Sequence, residues 1–377
     1  MNNPLLIGMT CGAVFLLAFL LIEPPGHKNL TANRWLAVFA ATLGCAMLEI
    51  FLHTLGLQNS QRVLMDMAEV TRFISAPALY LSIVSFVTPA KRFKFLELLH
   101  LLPFVIFLLF MMPHMMTGQN MQIAPWAAYV VFKIFFLTLP VQTVVYWTLS
   151  FLKLKAHRRN IRKVVSSTGA VDLQWLQNFL WVLAGVIFLW LNLALFEIPV
   201  LREITPWLYL LSAYFLSFFA LRQGEVYSFS KASRMEIQSL ILETPERPVR
   251  QQRVNADELE DLKNRLENLM DTKKPYLDST LSLPLLAEHI GISVHELSYL
   301  INEAYKENFF SFVNRYRIEE SKRLLLSGAF ERLNILGVAY ESGFNSKTTF
   351  NTTFKKRMGL SPTEFVKAEG NNLQKKD

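Results

Sequence analysis

Polar side chains recur at helical spacing in two stretches near the C-terminus, residues 281–305 and 333–357. In the first stretch the outward-facing residues are predicted to be Val294, His295, Ser298, Tyr299 and Asn302. In the second stretch they are Ser346, Lys347, Thr348, Asn351, Thr352 and Lys355. Asn and Lys can address base edges in the major groove, whereas Ser, Thr and helix N-termini mostly hold phosphates. The two sets therefore predict an interface with double-stranded DNA.

The elements that must position these residues are predicted to be two helix-turn-helix units. Each stretch has an Ala, three intervening residues, a Gly and then an amphipathic run, at Ala287–Gly291 and again 52 residues later at Ala339–Gly343. Glycine accepts the positive φ of a tight turn, and Ser293 with Glu296 predicts a capping box. Between the units, Phe309–Leu326 reads as one helix of about 27 Å. That length suits placing two reading helices in successive major grooves, about 34 Å apart.

Further residues extend this pattern into a family resemblance. They are Leu297, the run Asn314-Arg-Tyr-Arg-Ile318, Leu324-Leu325, Gly343-Phe344, Phe350, Phe354-Lys355-Lys356, Gly359 and Ser361-Pro362. Over roughly the last 100 residues the chain resembles the AraC/XylS family of transcription regulators. The resemblance implies base reading by the second helix of each unit and phosphate contacts by neighbouring groups. Thr349 and Thr353 are less usual on the second reading helix.

The rest of the chain departs from the family's usual sugar-binding barrel and has the composition of a membrane protein. Hydrophobic residues make up 52% and charged residues 18% of the sequence, against about 25% charged in soluble domains. Seven apolar segments are long enough to span a bilayer. They are Pro4–Ile22, Trp35–Leu57, Met67–Thr88, Phe95–Met112, Pro125–Leu152, Leu176–Phe196 and Trp207–Leu221.

The predicted fold is therefore all-α, with a polytopic bundle of about seven spans followed by a cytoplasmic domain with two helix-turn-helix units. The predicted domains are a membrane domain over 1–222, a tether over 223–256 and a DNA-binding domain over 257–377. A signal peptide is the competing interpretation of the first segment, but no basic residue precedes it and no small-residue cleavage site follows. The third segment is the weakest span, because charges crowd its start and Pro77 interrupts it.

Basic residues predict the orientation of the spans. Residues 1–222 hold 16 Lys/Arg and 8 Asp/Glu, whereas residues 223–377 hold 22 of each. The excess lies in alternate loops, including a run from Lys153 to Lys163, as the positive-inside rule requires. We expect a multi-pass protein of a bacterial inner membrane, in contact with the lipid bilayer, with its N-terminus outside and its C-terminus in the cytoplasm.

Ionisable residues at membrane depth indicate a candidate signal site, because burying them in hydrocarbon is costly. Glu49 and His53 are four residues apart and share a helix face, and Lys133 lies within the fifth segment. We predict an outward-opening pocket lined by these three residues, for an unknown small-molecule or protein signal. The alternative is that they pair with one another or reach the interface.

A leucine-rich helix is predicted over Asp257–Met270, with Leu259, Leu262, Leu266 and Leu269 on one face. That face either packs on its own domain or forms the contact of a homodimer.

Neither catalysis nor a cofactor is predicted. Cys11 and Cys45 lie inside apolar runs, and no zinc spacing, phosphate-binding loop or nucleophile motif occurs. The expected function is a membrane-anchored regulator of transcription that responds to a signal. Two rivals remain, which are a transporter or channel with a regulatory DNA-binding domain, and a membrane enzyme.

Overall fold

The computed structural model describes residues 3–24, 26, 28–89, 95–117, 124–169, 171–196, 199–242, 256–327 and 333–373. Within these ranges every regular element is a helix and no strand forms, which confirms the predicted all-α class. The contacts divide the chain into two units, one of residues 1–156 and 173–226, the other of residues 157–172 and 227–377. The short segment 157–172 thus groups with the C-terminal residues, although the sequence indicated only a basic loop there.

The first unit consists of seven helices, and Phe95–Leu101 forms a 3-10 helix before the fourth. They are α1 (Pro4–Ile22), α2 (Leu30–Thr54), α3 (Arg62–Val87), α4 (Leu102–Thr117), α5 (Pro125–Asn160), α6 (Gln174–Phe196) and α7 (Pro199–Arg222). Among the described residues, six stretches are long and apolar enough to cross a membrane, and α6 contributes a shorter apolar stretch, Gln174–Leu189. Two groups of residues used in the predictions lie outside the described residues. They are the basic residues at 91, 92 and 94, and the tether residues 243–255 with their prolines.

Glycines bring α1 and α2 close together. A Cβ on Gly8 would lie 3.0 Å from the ring of Phe51, and a Cβ on Gly44 would lie 2.9 Å from the ring of Phe15. Each helix therefore offers a glycine to an aromatic ring of the other. Small residues at helix contacts allow close backbone approach, which drives helix association in a bilayer through van der Waals packing.

The proline inside α3 does not end the helix, because a neighbouring helix satisfies the group that it exposes. Proline has no N–H, so Pro77 cannot donate to the carbonyl of Phe73 four residues earlier. The side-chain nitrogen of Gln142, on α5, donates to that carbonyl at 3.0 Å. Gln142 is buried, and an unpaired carbonyl in a bilayer costs several kcal/mol. The third apolar segment thus forms one continuous helix.

The charges at the start of α3 also have partners. Arg72 donates to both carboxylate oxygens of Glu49 on α2, at 2.6 and 2.5 Å. The ring of His114 lies 3.8 Å from the carboxylate of Asp66. The crowding of charges that weakened this segment in the sequence is therefore accommodated by pairing between helices.

The second unit adds eight helices. They are α8 (Lys231–Leu242), α9 (Ala256–Thr272), α10 (Leu283–Ile290), α11 (Val294–Tyr305), α12 (Phe309–Leu326), α13 (Ile335–Glu341), α14 (Lys347–Met358) and α15 (Pro362–Leu373). The predicted connector helix is confirmed at both ends as α12.

The leucine face of α9 is occupied within its own domain. Leu262, Leu266 and Leu269 are buried, and α9 contacts α10 and α11. Arg265 on α9 also donates to the carbonyl of Ile290 at the end of α10, at 2.6 Å. Of the two interpretations of this helix, packing on its own domain is the one that the structure has. The same leucine face is therefore not free to form a dimer contact.

We predict that the Gln142–Phe73 hydrogen bond matters only while Pro77 is present. Gln142→Leu should lower the stability of the first unit, from here on called the membrane unit, by about 1 kcal/mol. In a Pro77→Ala background the alanine N–H can bond to Phe73, and the same substitution should then cost much less. Thermal unfolding of the four proteins in detergent micelles gives the double-mutant cycle. Equal losses in both backgrounds would contradict this account.

Candidate nucleic-acid interface

The first helix-turn-helix unit is built by local signals that the sequence states clearly. Helix α10 ends at Gly291, which has φ +78° and whose N–H donates to the carbonyls of Ala287 and Glu288. Ser293 then caps α11, with its Oγ accepting from the N–H of Glu296 and the Glu296 carboxylate accepting from the N–H of Ser293. These hydrogen bonds lower the pKa of Glu296. The predicted capping box is thus confirmed.

The inward face of α11 holds one residue that the sequence interpretation placed wrongly. Leu297, Leu300 and Ile301 are buried as predicted, but Val294 is buried too, with 4% of its surface exposed. Val294 precedes Leu297 by three residues and Ile301 by seven, so it belongs to the same apolar stripe of the helix. The prediction that Val294 faces outward is therefore wrong.

The core of the second helix-turn-helix unit is a row of aromatic rings. Phe344, Phe350, Phe354 and Phe365 are buried together, and successive rings in that order lie 5.2 to 5.5 Å apart between centroids. The predicted inward positions Phe350 and Phe354 are confirmed. Ser346 caps α14 by accepting from the N–H of Thr349. This packing fixes which side of α14 is left for solvent.

The ten residues predicted to contact DNA lie on the two reading helices or at their caps. Those with exposed side chains are Tyr299, Asn302, Lys347, Thr348, Thr352 and Lys355, and those partly buried are His295, Ser298, Ser346 and Asn351. Helix α14 ends with Lys355, Lys356 and Arg357 in its last turn. The second helix-turn-helix unit therefore presents a basic surface with hydrogen-bonding side chains on α14.

Helix α8 packs against the first reading helix, a contact that the sequence did not indicate. The Oγ of Ser239 lies 2.8 Å from Nε2 of His295 on α11. The Ser239 hydroxyl donates its hydrogen to the carbonyl of Glu236, so the imidazole N–H is the donor to Ser239. One predicted DNA contact is thus already engaged by a helix of the same unit.

A second contact that the sequence did not predict joins residues 161–168, here called the docking segment, to the start of the first helix-turn-helix unit. Val165 forms an antiparallel bridge with Ser282. The N–H of Leu283 donates to Val164 at 2.8 Å, and the N–H of Ser166 donates to Leu281 at 3.3 Å. Val164, Val165 and Ser166 are buried. The only hint in the sequence is a pair of valines within an otherwise basic loop.

Arg317 of α12 ties the docking segment to the rest of the domain. Its side chain is fully buried. Its nitrogens donate to the backbone carbonyls of Tyr276, Ser166 and Asp278 and to the hydroxyls of Ser166 and Ser167, at 2.7 to 3.2 Å. These five bonds match the five N–H groups of a guanidinium. Burial lowers the pKa of Arg317 to about 10, so the group remains a cation at neutral pH.

Gly343 allows the second helix-turn-helix unit to approach residues 276–277, beside the Arg317 side chain. Its φ is +86°, and a Cβ on it would lie 2.2 Å from the carbonyl oxygen of Tyr276 and 2.9 Å from Cα of Leu277. That carbonyl is one of the acceptors of Arg317. The second glycine of the repeated pattern is therefore required both for its turn and for contact with the 3-10 turn Pro275–Leu277.

The residues predicted to form an intramembrane signal site separate into two places. Glu49 and His53 line one cavity of about 930 Å³, together with Arg72, the ion-pair partner of Glu49. Lys133 is not among the residues that line it, and its Nζ lies 4.6 Å from the ring centroid of Tyr129 on its own helix. The predicted cluster did not include Arg72, which lies in the third apolar segment.

Comparison with known proteins supports the helix-turn-helix assignment. The family model described as a helix-turn-helix domain matches residues 286–368, and this region is an AraC-type helix-turn-helix domain. The chain is 32% identical over 88 residues to the arabinose operon regulatory protein of Escherichia coli (strain K12), covering 23% of this chain and 29% of the relative. The same protein of Salmonella typhimurium (strain LT2) is also 32% identical over 88 residues, covering 23% and 30%. The chain thus spans less than a third of these relatives. No solved structure matches the chain.

We predict that Gly343→Ala destabilises the C-terminal unit by about 3 kcal/mol or more, because the methyl group meets backbone atoms in addition to the cost of positive φ. Gly359→Ala is the matched control, since Gly359 has φ +78° but open space around its Cβ position. It should cost only about 1 kcal/mol. Hydrogen-exchange protection of α12 and α13 in the full-length protein measures both. A loss for Gly343→Ala no larger than that for Gly359→Ala would show that the close approach is not needed.

Proposed function

We propose that the chain is a membrane-anchored, sequence-specific DNA-binding regulator of transcription that couples a signal at the membrane to gene expression. The observation that carries this proposal is a pair of complete helix-turn-helix units, joined by α12, in a chain whose described part has six helical stretches long and apolar enough to cross a membrane. The matched helix-turn-helix domain and the named regulatory role of the two relatives support it. The proposal contains no enzymatic step.

In this proposal α11 and α14 enter major grooves and read bases. Asn302, Asn351 and Lys347 are the side chains suited to base edges, while Ser346 and the threonines of α14 hold phosphates. Ser298, Tyr299 and Lys355 complete the surface, and His295 joins it once α8 moves away. Binding of this kind depends on the phosphate backbone, and its affinity falls as salt rises.

The membrane part is proposed to cross a bacterial inner membrane seven times, with the N-terminus outside. The boundaries near residues 222 and 257 follow from the change in composition. The basic residues from Lys153 to Lys163 then face the cytoplasm, as the positive-inside rule requires. The DNA-binding domain follows the last helix on the same side, where chromosomal DNA is accessible.

Two contacts suggest how a signal reaches the DNA-reading surface. The docking segment follows α5 directly in the chain and is bonded to Arg317 of α12. Helix α8 follows α7 and covers His295 of α11. A rearrangement of the membrane helices would pull on both attachments, because each is covalently continuous with a membrane helix. We propose that release of α8 exposes α11 for DNA.

Substitution of two lysines on α14 tests whether the second helix-turn-helix unit reads bases. Lys347 and Lys356 are nine residues apart, about two and a half helical turns, and so lie on opposite sides of the helix. Lys347→Ala should weaken binding to the target site about tenfold, the loss expected for one good base contact. Lys356→Ala removes the same charge and should have a much smaller effect. The target is first located by mapping chromatin-bound DNA, and affinity is then measured by fluorescence anisotropy with the full chain in nanodiscs. Equal effects of the two substitutions would contradict α14 as a base reader.

The restraint by α8 is tested through Ser239. Ser239→Ala removes the acceptor for His295, and loss of about 1 kcal/mol of hydrogen bonding should raise the apparent DNA affinity about fivefold. Ser233→Ala is the matched control, because Ser233 lies on the same helix and bonds locally to Ser230. The same anisotropy assay compares the two proteins. Unchanged or weaker binding by Ser239→Ala would rule out α8 as a restraint.

A further inference from the structure

The membrane unit encloses a cavity of about 930 Å³ among α2, α3, α5, α6 and α7. This volume is near the upper end of the range for small-molecule sites, about 300–1,000 Å³. Most of its wall is apolar, with residues such as Phe39, Leu79 and Trp147. On α5 the lining residues extend from Leu139 to Ser150, about 16 Å along the helix axis. The cavity is therefore elongated along the helices.

Hydrogen-bonding groups collect in one part of the cavity. Glu49, His53, Arg72 and Tyr209 all line it. A single nitrogen of Arg72, Nη2, serves both oxygens of Glu49. In the part of the chain that the structure describes, Nε and Nη1 of Arg72 have no hydrogen-bond partner. With the Tyr209 hydroxyl and the imidazole N–H, these nitrogens are donors beyond the one that Glu49 uses. This part of the cavity suits a group that is rich in oxygen acceptors.

A buried hydroxyl lies farther along the cavity. Helices α3 and α5 run in the same direction, because Gln142 bonds to Phe73 and the ring of Tyr146 contacts that of Tyr80. Ser150 therefore lies beyond the ion pair, about 12 Å along the axis from Gln142. Only 1% of Ser150 is exposed, and among the described residues its Oγ has no hydrogen-bond partner. Ser150 thus marks the end of the cavity that is remote from the ion pair.

We propose that this cavity binds a single-chain amphiphile whose head group is of the carboxylate class and whose apolar body lies along α5. The head group accepts hydrogen bonds from Arg72, His53 and Tyr209, without displacing Glu49. The body contacts the apolar wall between the ion pair and Ser150. This proposal rests on the proposed function, in which the membrane unit receives the signal, and it names the chemistry of that signal.

Binding is tested with radiolabelled dodecanoate and the full-length protein in phosphatidylcholine nanodiscs, with empty nanodiscs as the background. Saturable binding is expected for the wild-type protein. Ala46→Phe fills the cavity and should abolish that binding. Ala41→Phe is the matched control, since Ala41 lies on the same helix and is also half-buried but does not line the cavity. It should bind as the wild type does, and thermal unfolding checks that both variants are folded.

The head group is tested separately. His53→Ala should weaken dodecanoate binding about fivefold, the effect of one hydrogen bond, and leaves the apolar wall of the cavity unchanged. Dodecyltrimethylammonium has the same chain and a cationic head, and it should not compete.

Three results would overturn the proposal. They are binding by Ala46→Phe equal to that of the wild type, equal competition by the cationic amphiphile, and uptake no greater than that of empty nanodiscs. DNA binding by the same preparations is measured independently. A protein that binds DNA but not dodecanoate refutes only the ligand, whereas one that binds dodecanoate but not DNA refutes the proposed function.

Discussion

One buried cation organises the C-terminal unit. The guanidinium of Arg317 is held by five neutral oxygens from the docking segment and residues 276–278. A buried polar group left without its bonds costs about 1–3 kcal/mol, and a charged group costs more. All of these acceptors must therefore be in place together. Their positions fix the start of the first helix-turn-helix unit and the 3-10 turn against which Gly343 packs.

The unit that holds the apolar helices would meet the same constraint in a bilayer, because hydrocarbon offers no water to an unpaired group. Gln142 bonds to the carbonyl that Pro77 leaves free, and Glu49 pairs with Arg72. Other buried polar atoms of this unit, among them Asn33 Oδ1, Ser150 Oγ and Ser212 Oγ, have no hydrogen-bond partner among the described residues. On the proposal above, the Glu49–Arg72 ion pair serves both the packing of α2 on α3 and the recognition of a ligand's head group.

What could be predicted from the sequence was local. The spacing of Ala287 and Gly291, the Ser293 cap and the length of α12 all act within a few turns of chain, and the structure has them as predicted. Val294 was predicted to face outward, but it belongs to the buried apolar stripe that also holds Leu297. Membrane helices were recognisable from length and hydropathy alone.

The remaining contacts depend on packing between distant segments. The bonds from Arg317 to Ser166 join residues 151 positions apart, and that from Ser239 to His295 joins residues 56 apart. No periodicity marks either pair. The partner of Glu49 depends on how α2 and α3 are rotated about their axes, which composition does not specify.

The docking segment also has a consequence for turnover of the protein. Because the acceptors of Arg317 include residues encoded before the last two membrane helices, a protease that cut between residues 242 and 256 would release a fragment lacking part of its own core. On the proposed function, proteolytic release from the membrane would therefore inactivate the DNA-binding domain, and the intact chain would be the form that binds DNA.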